Sequence, residues 1–469
     1  MRKNKAPNRH YEEAALSRTH SLGLLIGLTI LVLANSCATP PPTRTLISNY
    51  YVDGAHGSDS NPGFQNLPWQ TIQKAADTLS PGDTVTVIEG NYPERIQVSR
   101  SGTTEAPIIF QAEGTVTMNG FTINADHIEV KNFEINNTEN DSTSGWGINI
   151  QGSNCVIENN YIHDATRGGI LISAIAGSET LVANCIIKNN RLYHNSQVGI
   201  EVHGRNHTIE ENEIWGTIQY HPKWENSPSW VDADGVRFFG SGHVFRGNYI
   251  HDISIDDPQN IDPHIDAFQT WDDQWGEVGS DSIFEQNKII LGKTATGFQL
   301  EGGVHNIIIR NNIVNSFRGV LTYKNGNSPY TSPSDIFVLN NLFIGDLVYL
   351  LEENPAGMLI VDTANAVIKN NILVEQRGQT IETYSSSVDI DYNLFHNSDG
   401  STPLGTPYIH DIWGINPLFV NPDSGDFHLQ AESSAIDVGA ILKNVTNDLD
   451  GVLRPQGNGF DIGPYEHIP

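Results

Sequence analysis

The phrase "IENNYI" at residues 157–162 recurs along the chain and decides its fold. It returns as "IKNNRL" at 187–192, "IEENEI" at 209–214 and "FRGNYI" at 245–250, and then in five further copies. The fourth position of every copy is asparagine, namely Asn160, Asn190, Asn212, Asn248, Asn287, Asn312, Asn341, Asn371 and Asn393. These asparagines stand 22 to 39 residues apart, so loops of different length interrupt a constant core. One amide repeated at one turn position predicts an inward-facing ladder, hydrogen-bonded from repeat to repeat.

A second phrase has a small residue, an apolar residue, a variable residue and usually another apolar residue. Its copies are "GINI" (147–150), "GILI" (169–172), "GIEV" (199–202), "GVRF" (235–238), "AFQT" (267–270), "GFQL" (297–300) and "GVLT" (319–322). Alternation with a period of two turns the apolar positions inward and the variable position outward. Short strands separated by turns and repeated in this way are typical of a parallel β-helix.

With these two phrases the chain resembles the right-handed parallel β-helices of the pectin-lyase-like superfamily. The resemblance covers residues 48–430 and implies an all-β solenoid. Residues 50–94 resemble the strand, loop and amphipathic helix that open such proteins, so we predict a short N-terminal capping helix. Residues 431–469 resemble the last segment of secreted bacterial β-helix proteins and are predicted to form a C-terminal cap.

The net charge indicates which partners the protein can bind, and the N-terminal sequence indicates where in the cell the protein is located. The net charge of −29 repels nucleic acid and anionic membrane surfaces, which argues against both as partners. Basic residues before the apolar run at 22–34 predict an export signal over residues 1–36. The end of this signal resembles that of a bacterial lipoprotein, which implies a lipid on Cys37 and a Pro/Thr-rich tether over 37–47. We therefore expect a monomer that is either secreted or lipid-anchored at the surface of a bacterial cell.

Two further cysteines, Cys155 and Cys185, occupy equivalent positions of two repeats. Adjacent strands lie close enough for a disulfide. We expect instead a stacked pair of buried thiols.

Asp234 and Asp266 immediately precede two successive copies of the second phrase, "GVRF" and "AFQT". They are predicted to stack on neighbouring turns of the coil. Carboxylates about 4.8 Å apart repel each other unless a cation, a shared proton or Arg237 compensates. The pair is therefore a candidate site, although Asp-Gly is also ordinary turn chemistry. Polar and aromatic side chains gather beside it, and we predict that they bind substrate: Gln269, Trp271, Gln299, Glu301, Tyr323 and Lys324.

The favoured chemistry is lyase cleavage of a uronate-containing polysaccharide by β-elimination. A carboxylate cluster of Asp232, Asp234, Asp262 and Asp266 suits Ca²⁺, which prefers hard oxygen ligands. The stretch "ADGVRFFGSGHVFRGN" at 233–248 resembles a segment of family-nine pectate lyases, which implies a catalytic lysine near Phe239. Here the nearby basic residue is Arg237, which we assign as base or carboxylate neutraliser. The other predicted catalytic residues are Asp234, Asp266 and the two proton donors His203 and His264.

Other functions stay open at this point. Asp234 and Asp266 could act as the acid and nucleophile of a β-helix glycoside hydrolase. The "DPH" at 262–264 resembles a motif of alginate epimerases, but Ile265 follows it where those enzymes have an acidic residue. A glycan-binding adhesin is a non-enzymatic alternative. A Gly-rich phosphate loop is missing from the sequence, so we expect no organic cofactor.

Overall fold

The computed structural model describes residues 48–469 except 137, 140–144, 174–180, 224–231, 262, 273–276, 325–331, 346–356, 377 and 386, and only the backbone of 293 and 294. The predicted export signal, Cys37, the tether and Asp262 lie outside the described residues. Within the described part of the chain, no helix is long and apolar enough to cross a membrane.

Short strands make up almost all of the regular structure. In chain order the elements are β1 Asn49–Val52, α1 Ile72–Thr78, β2 Thr84–Val98, β3 Ile108–Ile123, β4 Ile128–Lys131, β5 Glu134–Ile135, β6 Trp146–Ile150, β7 Val156–Glu158, β8 Tyr161–His163, β9 Gly168–Ile172, β10 Ile186–Lys188, β11 Arg191–Tyr193, β12 Val198–Val202, β13 Thr208–Glu210, β14 Glu213–Trp215, β15 Asp234–Phe238, β16 Val244–Arg246, β17 Tyr249–His251, β18 Asp266–Thr270, β19 Ile283–Glu285, β20 Lys288–Glu301, β21 His305–Arg310, β22 Ile313–Tyr323, β23 Ser334–Leu339, β24 Leu342–Ile344, β25 Met358–Ile360, β26 Ala366–Lys369, β27 Ile372–Val374, β28 Ile381–Thr383, β29 Val388–Asp391, β30 Leu394–His396, β31 Ile412–Trp413, β32 Phe419–Asn421, the 3₁₀ turn Pro422–Ser424 and β33 Asp426–Leu429.

We call each turn of the coil a rung. From β1 to β31, each strand pairs in parallel with the equivalent strand of a neighbouring rung. Thus β7 pairs with β10 and β10 with β13, while β9 pairs with β12 and β12 with β15. The inward side chains of all rungs form one continuous apolar core. The chain is therefore a parallel β-helix, as the two repeated phrases predict.

The predicted asparagine ladder runs through the core from rung to rung. Asn287 is fully buried and shows the pattern: its Nδ2 donates to Asn312 Oδ1 at 2.9 Å and to Phe245 O at 3.0 Å. Its Oδ1 accepts from the backbone N and the Nδ2 of Asn248, both at 3.0 Å. The ladder ends where Asn393 N donates to Asp411 Oδ1 at 2.8 Å. Because every amide completes its hydrogen bonds only with its neighbours, the ladder sets the register of the rungs.

The residue before each ladder asparagine adopts a left-handed backbone conformation. Asn159, Asn189 and Asn311 have φ of 58°, 55° and 53°, and Gly247 has φ of 63°. Asparagine and glycine adopt this region more readily than other residues do. The first Asn of "NN" therefore makes the turn and the second builds the ladder.

Charged side chains alternate in sign along one outer column of the coil. Successive rungs place Lys131, Glu158, Lys188, Glu210, Arg246, Glu285 and Arg310 at paired positions. The register therefore sets opposite charges side by side at every step. Arg246, for example, lies 2.7 Å from Glu285 and 3.7 Å from Glu210. We call this set the charge column.

The N-terminal helix closes the first rung, as predicted. Ile72, Ala75 and Ala76 of α1 are buried and join the core formed by the first strands. The Thr71 side chain caps the helix by accepting from Lys74 N at 3.2 Å.

The predicted C-terminal cap lies along the flank of the late rungs. Parallel pairing ends at β31, and β32 and β33 pair with each other in antiparallel fashion. The side chains that follow the late ladder asparagines point outward and are apolar: Ile313, Leu342, Ile372 and Leu394. Phe427, Leu429 and Ile462 cover them. Arg454 and Glu466, whose side chains are fully buried, pair beneath this cover at 2.5 Å.

Cys155 and Cys185 are free thiols, buried on neighbouring rungs. Cys185 N donates to His207 Nδ1 at 3.0 Å, and His207 N donates to His243 Nδ1 at 3.2 Å. This column of small and imidazole side chains satisfies backbone N–H groups at one corner of the coil.

We predict that Asn287→Ala lowers the free energy of unfolding by about 2–4 kcal/mol, because it leaves buried donors and acceptors on both adjoining rungs without hydrogen-bond partners. Denaturant unfolding followed by circular dichroism measures the loss. Asn91→Ala is the matched control, since Asn91 is exposed. Equal stability of the two variants would contradict the ladder's role.

Candidate active site

The predicted polar column lies on the outer side of β12, β15, β18 and the last residues of β20 and β22, which we call the site face. Register pairs Glu201 with Arg237, Arg237 with Gln269, Gln269 with Gln299 and Gln299 with Leu321. Although these positions point away from the core, Arg237, Gln269 and Gln299 are buried. The site face is therefore a shielded surface rather than an open one.

A glycine at the corner of the coil turns Asp234 onto this face. A Cβ on Gly235 would lie 2.7 Å from Ala267 O and 2.8 Å from Ile250 Cγ2, so only a small residue fits the corner. The chain bends there, and the Asp234 side chain emerges on the same side as Arg237. This explains why the second phrase begins with a small residue.

Asp234 is fully buried and both of its carboxylate oxygens are engaged. Oδ2 accepts from Arg237 Nε at 2.7 Å, and Oδ1 accepts from Asp266 N at 3.0 Å. Burial raises the pKa of Asp234, although the Arg237 guanidinium opposes this. The Asp234 and Glu201 carboxylates raise the pKa of Arg237 against the effect of burial. Asp234 thus holds a permanent cation on the site face.

Asp266 is also fully buried and lies behind His264. His264 Nδ1 is 2.9 Å from Asp266 Oδ2, and the His264 side chain is 49% exposed while that of Asp266 is 0% exposed. Burial raises the pKa of Asp266, and His264 opposes this. The Asp266 carboxylate in turn raises the pKa of His264 to about 9. The group of this dyad that faces solvent is the imidazole.

A third cation lies one rung before Arg237. His203 Nε2 is 3.1 Å from Glu201 Oε1, and His203 Nδ1 is 3.2 Å from Glu277 Oε2. Burial lowers the pKa of His203, but the hydrogen bonds to the two carboxylates outweigh it and raise the pKa to about 9. Its ring stacks on Phe239 at 4.7 Å. Glu277 was missed in the sequence because it follows a loop and belongs to neither repeated phrase.

The predicted substrate-binding residues line the same face. Trp271 meets Phe239 edge to face at 4.7 Å, and the Arg237 guanidinium lies 5.7 Å from its ring centroid. Gln299 Nε2 donates to Glu301 Oε1 at 2.6 Å.

The outer end of the site face carries polar groups of different exposure. Gln269 Oε1 and Gln299 Oε1 are buried without a hydrogen-bond donor. Burial raises the pKa of Tyr323, with help from Glu301, and Lys324 beside it is exposed.

The four carboxylates predicted to bind calcium differ in their surroundings, and calcium binding there stays a prediction. Both oxygens of Asp234 accept hydrogen bonds, whereas both oxygens of Asp266 are buried without a hydrogen-bond donor, with Oδ2 2.9 Å from His264 Nδ1. Within the part of the chain that the structure describes, no group of three His, Cys, Asp or Glu residues is placed to hold a metal ion. Asp232 is partly exposed at the edge of the site, and Asp262 lies outside the described residues.

Two family models match the chain. The model of the Pel9A-like, right handed beta helix region matches residues 50–197, and that of the right handed beta helix region matches residues 181–346. The uncharacterized protein YwoF of Bacillus subtilis (strain 168) is 23% identical over 391 residues, which cover 80% of this chain and 79% of that protein.

Solved structures share the same architecture. The crystal structure of pectate lyase Pel9A superposes with a TM-score of 0.53 at 17% identity, covering 90% of this chain and 97% of that one. The complex of XylC with xylose superposes with a TM-score of 0.56 at 14% identity, covering 89% and 98%. The predicted right-handed parallel β-helix is thereby confirmed.

The charged state of His203 makes a testable contribution to stability. Its pKa is about 9 in the folded protein against 6.5 for an ordinary histidine, so the contribution is complete below pH 6.5 and is lost as the pH rises through 9. We expect His203→Gln to be less stable than the parent by about 3 kcal/mol at low pH, with the gap closing toward alkaline pH.

Thermal melting of both proteins across this pH range measures the gap. His305→Gln, at the exposed first residue of β21, is the matched control. A gap between His203→Gln and the parent that does not change with pH would contradict a charged His203.

Proposed function

We propose that this right-handed parallel β-helix protein is an exported enzyme that cleaves a uronate-containing polysaccharide by β-elimination. The observation that carries the proposal is a pair of cations on the site face, each backed by carboxylates: Arg237 by Asp234, and His203 by Glu201 and Glu277. A uronate brings a carboxylate that needs such a partner. The fold shared with a pectate lyase supports a polysaccharide substrate.

Arg237 is suited to bind the uronate carboxylate rather than to remove a proton. Its raised pKa keeps the guanidinium charged, and a charged guanidinium cannot act as a base. Pairing with Arg237 withdraws negative charge from the uronate carboxylate, which acidifies the C–H bond beside it. His203 adds a second positive charge one rung away.

His264 is suited to take that proton. Its imidazole faces solvent, and Asp266 stabilises the imidazolium that forms. The electron pair of the broken C–H bond becomes a carbon–carbon double bond, and the glycosidic bond to the leaving sugar breaks. Tyr323, kept protonated by its raised pKa, is a donor on the same face for the departing oxygen.

The glycoside hydrolase alternative is less well supported. A hydrolase needs two carboxyl groups that flank the scissile bond. Asp234 and Asp266 are both fully buried behind cations and present no oxygen to a sugar. We therefore assign them as positioning residues for Arg237 and His264.

We expect polygalacturonate, alginate or another uronate polymer to yield an unsaturated product, detected by its ultraviolet absorbance. EDTA should leave the rate unchanged, because Arg237 supplies the neutralising charge. A rate abolished by EDTA and restored by Ca²⁺ would contradict this role of Arg237. New reducing ends without unsaturation would establish hydrolysis instead.

His264→Gln should lower kcat by about 10²–10⁴-fold, as expected for loss of a general base. In the parent protein, kcat/KM should rise with pH up to about 9, since His264 must be neutral to accept the proton. His305→Gln provides the matched control at an exposed histidine. Full activity of His264→Gln would refute the assignment.

A further inference from the structure

A cavity lies at the end of the coil opposite α1, beside β28. Register carries the outer column from Leu321 to Leu359 on β25 and from Leu359 to Glu382 on β28. Glu382 is therefore five register steps beyond Arg237, or about 24 Å at the usual spacing between strands.

The cavity measures about 280 Å³ and has an apolar floor beneath an aromatic and polar rim. The floor consists of Ile381, Ile390, Phe395 and Trp413, which are side chains of the last rungs. Tyr384 and Tyr408 form the rim and are 68% and 43% exposed.

The chemistry of the rim suits a sugar. An exposed tyrosine ring offers a flat apolar surface for the C–H face of a pyranose, and hydroxyl and carboxylate groups beside it bind the sugar hydroxyls. Tyr384 donates its hydroxyl proton to Glu382, which orients the ring next to this acceptor. Thr383 and Thr406 add hydroxyl groups to the lining.

The charge of this region excludes a uronate. Glu382 is part of the lining, and Asp391 and Asp411 lie on the adjoining turns. The nearby His410 is already paired with Asp391 at 2.7 Å. Among the described residues, the lining contains Glu382 and no Lys, Arg or His, so an added carboxylate would find no cation there to pair with, in contrast to Arg237 and His203 on the site face.

We propose that this end cavity binds a neutral sugar residue of the same polysaccharide chain whose uronate is cleaved at Arg237 and His264. The inference rests on the proposed function and deepens it, because it requires a substrate that contains both uronate and neutral units. The cavity opens at the end of the coil, and Glu382 of its lining continues the outer column of the site face, so a chain that follows this column from Arg237 reaches the cavity.

The test measures binding without turnover. In the His264→Gln background, affinity electrophoresis compares rhamnogalacturonan, in which uronate alternates with a neutral sugar, with polygalacturonate, which is uronate alone. Combined Tyr384→Ala and Tyr408→Ala should weaken binding of rhamnogalacturonan about fivefold to tenfold, the effect expected from loss of two aromatic contacts. Binding of polygalacturonate should stay unchanged. Leu453→Ala is the control, because Leu453 is 66% exposed and lies outside the cavity lining.

The outcomes separate this inference from the proposed function. Failure to form any unsaturated product overturns the lyase proposal, whereas the binding difference tests the cavity independently. Equal binding of rhamnogalacturonan by parent and double variant, or binding of neither polymer by the parent, overturns the inference. A change of oligomeric state in the double variant with polymer binding unchanged also overturns it, since the open edge of β28 would then be an interface between copies.

Discussion

Parallel stacking of the rungs depends on one interaction, the side-chain amide that bonds to the amide one rung away. Each ladder asparagine donates to and accepts from its neighbours, and it also satisfies a backbone carbonyl inside the turn. A buried amide without this partner would cost free energy on both of its sides. The ladder therefore fixes the register of the rungs from Asn160 to Asn393, and that register determines which outward side chains become neighbours. The site face inherits its geometry from this internal column.

Repetition explains how much of the molecule was predictable. Asn160 to Asn393 recur in one phrase, so their stacking and the coil followed from the sequence alone. Register then placed Asp234, Arg237 and Asp266 together correctly. The burial of Asp234 and Asp266 could not be predicted from the repeated phrase, because burial depends on the side chains that pack around them.

Other features required contacts between distant segments. Glu277 approaches His203 across 74 residues of chain, and such a contact leaves no periodic signal. The C-terminal segment that covers the flank of the late rungs did leave a periodic signal in the sequence. The residue after the ladder asparagine changes from polar, as Glu213, to apolar, as Leu342, where the cover begins. Calcium was inferred from carboxylate identity alone and stays a prediction; in the structure Asp234 pairs with Arg237, and Asp266 lies beside His264.

The charge column also bears on how such a chain can change its length. Opposite signs on successive rungs, from Lys131 to Arg310, mean that duplication of a single rung would place two like charges side by side. Duplication of two adjacent rungs would keep the alternation intact. Gene segments that encode rung pairs are therefore the units by which this coil can lengthen or shorten without electrostatic conflict.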